Sequence, residues 1–261
     1  MPPAPIATPY VLPFRVAVQP PPLLSGGGVA ILRVVPVAQP DAAAAADYGS
    51  VVTAFALLAS TGALAGTAGP PAAAADFDWS RTGPGVGGLE WKLTNCTFDE
   101  RAAVVLAQMF LLSHPAHPIR TVTLAAPGKA TDPLPHDPRL ADPYPPVWQP
   151  TPFPVVIDPN LYDTACLRIR FSRPPTPDEQ AQIDGQIMTW AVATAMGAYG
   201  VAPVPPNECS AQFDTAVTFL DDELEFDVAR LRAHRASLHG LVNACVALHQ
   251  SVLRITELRI E

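Results

Sequence analysis

The residues best suited to metal or nucleophilic chemistry are six histidines and four cysteines, and their spacing argues against both. Cys96, Cys166, Cys209 and Cys245 lie far apart, with no CxxC pair to begin a ligand set. They read as small buried thiols. His114 and His117 fall three residues apart in "HPAH", at a predicted helix end, with no third ligand nearby in sequence. His234 and His239 are five apart, and His239 and His249 ten apart, off the i,i+4 spacing at which one helix offers two imidazoles to zinc. The sequence therefore predicts no metal and no cofactor. No G-x-S-x-G elbow occurs. The glycine-rich "GPGVGG" (83–88) joins two strands without a helix behind it, so it reads as a turn rather than a phosphate cradle. One catalytic candidate is left: His234, on an apolar helical stripe, either a pocket base or a core-edge histidine bonded to backbone.

A second chemical feature is "CLRIRFSRPPTP" (166–177), in which Arg168 and Arg170 alternate with Leu167, Ile169 and Phe171. Two arginines in a row could meet phosphate. The whole chain, however, has 16 basic against 24 acidic residues, a net charge of −8. Phosphate contacts dominate nucleic-acid affinity and need a positive surplus. The next hairpin also supplies Glu223, Glu225 and Asp227. The expectation is an arginine row on the polar face of a strand, paired to that acidic row, with Arg254 on the other neighbouring strand.

The elements that would position these residues follow from periodicity. "VAILRVVPVA" (29–38) is an apolar β-type run. Asp41 is placed to cap the helix that follows, including "SVVTAFALLASTGALAG" (50–66). At about 17 residues with Ser and Thr inside, that run falls short of the ~20 a membrane span needs, and reads as a buried helix. "DFDWS" (76–80) and "LEWKLTNC" (89–96) are strands. Thr97 and Glu100 form a capping-box start for a helix with Phe98, Ala102, Val105, Met109 and Leu112 on one side. "IRTVTL" (119–124) closes the set.

The same order then recurs. "ACLRIRFS" (165–172) is a strand, and Thr176, Pro177 and Glu179 start a helix with Ile183, Ile187, Trp190 and Thr194 inward. Phe213, Thr215, Val217 and Phe219 alternate on one strand and Leu224, Phe226 and Val228 on the next, turning at Asp221 and Asp222. Leu231, His234, Leu238, Leu241, Cys245, Leu248 and Val252 share a helix face, and "VLRITELRIE" ends as a strand. Two β-α-β-β-α-β units are the split βαβ pattern. The fold expected is α+β: tandem ferredoxin-like repeats, each an antiparallel sheet with helices on one face, joined by a Pro-rich linker. The segments are a Pro/Gly-rich arm (1–28), repeat 1 (29–126), the linker (127–163, eleven of the 32 prolines) and repeat 2 (164–261). Element order supports the duplication; residue identity between the halves does not.

Function is far less legible. With no convergent polar constellation, the reading is a non-enzymatic interaction or assembly module built as an internal pseudo-dimer. Its expected partner is another protein or a second copy, rather than nucleic acid or a membrane. The first strand of repeat 1 is apolar on both faces, so its open face is expected to be covered. Tyr144, Trp148 and Phe153 in the linker, with Arg168 and Arg170, are the candidate partner-binding residues. The first alternative is an enzyme or small-molecule binder with a pocket between the repeats, using His234; the second is an RNA-binding or RNA-processing protein. The N-terminus lacks a basic region followed by a long apolar core, so a cytoplasmic location is expected.

Overall fold

Stretches that alternate in sequence form strands, and those with 3–4 spacing form helices, in the computed structural model. It describes residues 14–18, 28–64, 78–85, 88–96, 100–114, 116–125, 127, 151–158, 164–199, 217–228 and 236–261. In chain order the elements are β1 (Arg15–Val18), β2 (Gly28–Pro36), α1 (Ala42–Ser60), β3 (Asp78–Gly85), β4 (Gly88–Cys96), α2 (Glu100–Ser113) and β5 (Ile119–Ala125). Then come β6 (Val155–Ile157), β7 (Ala165–Phe171), α3 (Pro177–Ala195), β8 (Thr218–Leu220), β9 (Glu223–Val228), α4 (Ala236–Ser251) and β10 (Ile255–Ile260). The described residues thus form a mixed α+β structure with two sheets and four helices.

Local signals fix several boundaries. Asp41 Oδ1 accepts from the Ala44 amide at 2.8 Å, satisfying a donor that the first turn of α1 leaves open. At α3 the reciprocal box is complete: Thr176 Oγ1 accepts from the Glu179 amide, and Glu179 accepts from the Thr176 amide. Asp221 takes the left-handed conformation (φ 56°) at the β8–β9 turn, which aspartate tolerates better than bulkier residues. Thr97 lies outside the described residues, as do Phe98, Phe213, Thr215, Leu231 and His234.

The first sheet runs β1-β5-β2-β4-β3 and the second β6-β10-β7-β9-β8. Pairing is antiparallel except for β1 with β5 and β6 with β10, which are parallel. Both sheets therefore share one plan: the first long strand is central, and a short extra strand lies along the last. The extra strands, β1 and β6, fall inside the segments read from sequence as arm and linker. Prolines exclude a central strand but permit an edge. Pro154 contributes its carbonyl, which accepts from the Leu258 amide at 3.0 Å.

Alternate strand residues build the core. Leu32 and Val34 of β2, Trp91 and Leu93 of β4, and Val122 and Leu124 of β5 are buried with Tyr48, Val52, Phe55 and Leu58 of α1. In the second half Leu167 and Ile169 of β7, Leu224 and Phe226 of β9, and Leu258 of β10 are buried with Ile183, Ile187 and Trp190 of α3. Burying each such side chain contributes about 1.5–3 kcal/mol. Among the described residues α1 is the one helix long and apolar enough to cross a membrane, yet these core side chains occupy its apolar side. The other face of β2 is half-covered: Val29, Ile31 and Val35 are half-buried, and Arg33 in their row bonds Glu90 at 2.7 Å.

The halves meet through helices, α1 against α3, with α2 beside α1 and α4 beside α3. Gln186 Nε2 donates to the Thr61 carbonyl (2.8 Å) and the Ala244 carbonyl (3.3 Å), tying the end of α1 to both helices of the second half. Trp190 Nε1 donates to the Ser237 carbonyl at 2.8 Å.

Residue-level correspondence between the halves, absent from the linear sequence, appears where the extra strands attach. The Ile119 amide donates to His114 Nδ1 at 3.1 Å, and the Ile255 amide donates to His249 Nδ1 at 3.0 Å. Phe14, just before β1, packs on His114; Phe153, just before β6, packs on His249. Gln108 and Asn243, buried on α2 and α4, sit six residues before those histidines. Each leaves its side-chain carbonyl oxygen without a hydrogen-bond partner.

Candidate functional site

Only part of α1 and α3 is used by the core. On α1, Ala46, Gly49, Ser50, Thr53, Ala54 and Leu57 recur at 3–4 spacing on the side turned toward α3. On α3, Gly185, Met188, Thr189, Val192 and Met196 do the same. Between them lies an open groove of about 570 Å³, within the usual size of a binding pocket. Leu57 and Val192 on its walls are 52% and 49% exposed, two of the few large apolar side chains left in water.

The groove is mostly apolar and open to solvent. Gly49 and Gly185 leave open space where a Cβ would stand. Its hydroxyls are turned back on their own helices: Ser50 donates to the Ala46 carbonyl (3.1 Å), Thr53 to Gly49 (3.0 Å) and Thr189 to Gly185 (2.7 Å). Their only protons are thereby used. Among the described residues no ionisable side chain lines the groove. The arrangement can hold apolar surface; it offers no acid, base or nucleophile.

The residues singled out from sequence lie elsewhere. Arg168 and Arg170 stand opposite Glu225 and Glu223 across β7 and β9. Arg168 Nε is 3.0 Å from Glu225, and an Arg170 guanidinium nitrogen is 3.0 Å from Glu223, with Glu257 of β10 at 3.9 Å. Glu225 holds the Arg168 guanidinium still more firmly in its charged form. This is the acidic pairing expected. Arg254 precedes β10, however, and Glu257 and Arg259 are the charged residues that face β7 from that strand. Phe153 is buried, 4% exposed, against His249, which makes it an anchor for the extra strand β6. Tyr144, Trp148 and His234 lie outside the described residues.

The "HPAH" histidines have separate duties. His114 accepts from a backbone amide, while His117 Nε2 lies 2.8 Å from Asp47 Oδ2 and its carbonyl accepts from Tyr48 Oη at 2.8 Å. Burial, helped by Asp47, pushes the Tyr48 hydroxyl up to about 12. Burial also pushes the Cys245 thiol to about 12 and, with Asp227 beside it, the Cys166 thiol to about 11, so neither is poised as a nucleophile.

No protein-family model and no curated protein matches the chain. The groove therefore stands on its own physics. Sequence reasoning missed it because α1 reads as apolar on nearly every side from Val51 to Ala59, with Thr53 the one polar residue. The available signal was that Gly49 and Thr53 on α1, and Gly185 and Thr189 on α3, repeat one small-residue step at i,i+4.

Proposed function

We propose that the chain is a non-enzymatic interaction or assembly module made of two ferredoxin-like repeats. Within each sheet the order of the repeat's own strands is fourth, first, third, second, with a helix after the first strand and another after the third; that supports the tandem reading. The single observation that carries the functional reading is the exposed apolar groove where α1 and α3 meet. Apolar patches rimmed by polar surface mark interaction sites, because leaving them wet has a cost that a partner removes. The arginine row on β7 adds no competing phosphate site, since Arg168 and Arg170 are matched by Glu225 and Glu223.

A second reading, a binder of an apolar small molecule between the repeats, is favoured by the volume of the groove. The two are separated by cross-linking the intact chain in its native cell and mapping the linked peptides by mass spectrometry, beside sedimentation of the purified protein. The module reading expects reproducible cross-links to a protein. A strict monomer without cross-links overturns it.

A further inference from the structure

We infer that the first half carries a pH-operated catch: when His114 takes up a proton, β1 is released from β5, while β6 in the second half stays in place. This stands apart from the groove and from the interaction reading above. Strand β1 has four residues and rests on β5 and α2. His114, at the end of α2, stands where those two supports join. Its Nδ1 accepts from the Ile119 amide of β5 at 3.1 Å, and its ring lies 5.6 Å from that of Phe14, the residue leading into β1. An imidazole nitrogen accepts only while it is unprotonated. A proton on Nδ1 would set one N–H against another, so the ring must turn away from Ile119 and leave Phe14 without its support. The catch is therefore closed above the range in which histidine ordinarily titrates, about 6.5, and opens as pH falls through it.

The two halves differ at this point. In the second half His249 Nδ1 lies 3.0 Å from the Ile255 amide nitrogen and 3.1 Å from the Ile255 carbonyl oxygen. An imidazolium there exchanges the amide for the carbonyl, donating where it had accepted, and Phe153 keeps its support. Among the described residues no carbonyl stands in hydrogen-bond reach of His114 Nδ1 in the same way. Nor does a carboxylate steady the charge. Asp47, the one acid of α1, is engaged by His117 at 2.8 Å, and the Tyr48 hydroxyl donates to the His117 carbonyl. Arg15 of β1 and Arg120 of β5, both exposed, directly follow the two residues that His114 touches, and they bring positive charge only. Glu100 and Arg101, the charged residues of α2, belong to its first turn, at the opposite end. The C-terminal dipole of α2 favours a cation at His114, but that pull is weak and screened by salt, whereas facing N–H groups repel at contact distance. Release leaves the outer edge of β5 with unpaired amides and carbonyls, an edge to which a further strand can add.

The test uses the full chain and amide hydrogen exchange followed by NMR, expressed as protection factors at about pH 7.5 and about pH 5. The amides of β1 should lose protection at least about tenfold at the lower pH, and those of β6 should change less than about threefold. His114→Asn offers a neutral oxygen in place of Nδ1 and should hold β1 protection level across the range. Should that variant fail to fold, the wild-type ring answers the question: the midpoint of the His114 titration, followed by NMR of its ring carbons, must coincide with that of β1 opening. Protection of β1 that changes no more than that of β6, the same loss in His114→Asn, or midpoints that differ overturns the proposal.

Discussion

The ring of Phe153 lies 5.4 Å from that of His249, tilted by 40°, and Phe14 stands to His114 in the same way, at 5.6 Å and 39°. In each half the histidine ends a helix, accepts the first amide of the last strand, and supports the aromatic residue that leads into the parallel edge strand. One clamp thus appears twice, joining three elements through one imidazole.

Removing the clamp should loosen the edge strand. His249→Ala leaves the Ile255 amide without its acceptor and takes away the surface under Phe153. A loss of about 1–3 kcal/mol in urea unfolding is expected. Phe153→Ala should cost about 3–5 kcal/mol, since the ring is buried. In a double-mutant cycle the two should couple by about 0.5–1.5 kcal/mol; additive effects would show the ring contact to be incidental.

Glycine substitutions should separate the groove from the close-packed seams. At Gly49 and Gly185 a methyl meets open space, so Gly→Ala should stabilise by about 0.5–1 kcal/mol through helix propensity. At Gly240 the new Cβ would stand 2.6 Å from the Tyr199 hydroxyl oxygen, and at Gly88 2.7 Å from the Val34 carbonyl oxygen. Gly88→Ala presses on backbone, which yields less than a side chain, and should be the more harmful, by about 1–3 kcal/mol. Thermal unfolding of the four variants checks the order.

The cap of α3 should show in the acid limb of stability. Bonds from Arg173 and the Thr176 amide hold the Glu179 carboxyl at about 2, below its ordinary value of 4.5. Because the folded form binds the proton less readily, its contribution is full above the ordinary value and is lost as pH falls from there toward 2. Glu179→Gln should lower the melting temperature at neutral pH and flatten its fall between about pH 5 and 2. An unchanged slope would remove Glu179 from the acid response.

Thiol reactivity should follow burial. With its thiol pushed to about 12, Cys245 should resist alkylation at neutral pH until the protein unfolds. Cys166, pushed to about 11 but only partly covered, should react slowly in the native state. Mass spectrometry after timed labelling distinguishes them, and rapid native labelling of Cys245 would contradict its place in the core.

What the sequence determined by itself is whatever a local period or cap can encode. Period-2 alternation marked β7, with Leu167, Ile169 and Phe171 inward and Arg168 and Arg170 outward. A 3–4 step marked α3 from Ile183 to Thr194, and Asp41 and Thr176 marked their helix starts. Even the pairing of Arg168 and Arg170 with an acidic row followed, because element order put β9 beside β7. The tertiary structure decided what depends on partners far along the chain. Strands β1 and β6 are short, and β6 lies among prolines, so no period announces them; they exist because the open edges of β5 and β10 present unpaired amides and carbonyls. The shared clamp of Phe14 and His114, Phe153 and His249 shows only when residues 100 and 96 apart are brought into contact. The groove depends on this too. Sequence marks α1 as apolar, but only its packing in the first half decides that Tyr48 and Phe55 are buried, while Leu57, on the side turned toward α3, is left facing water.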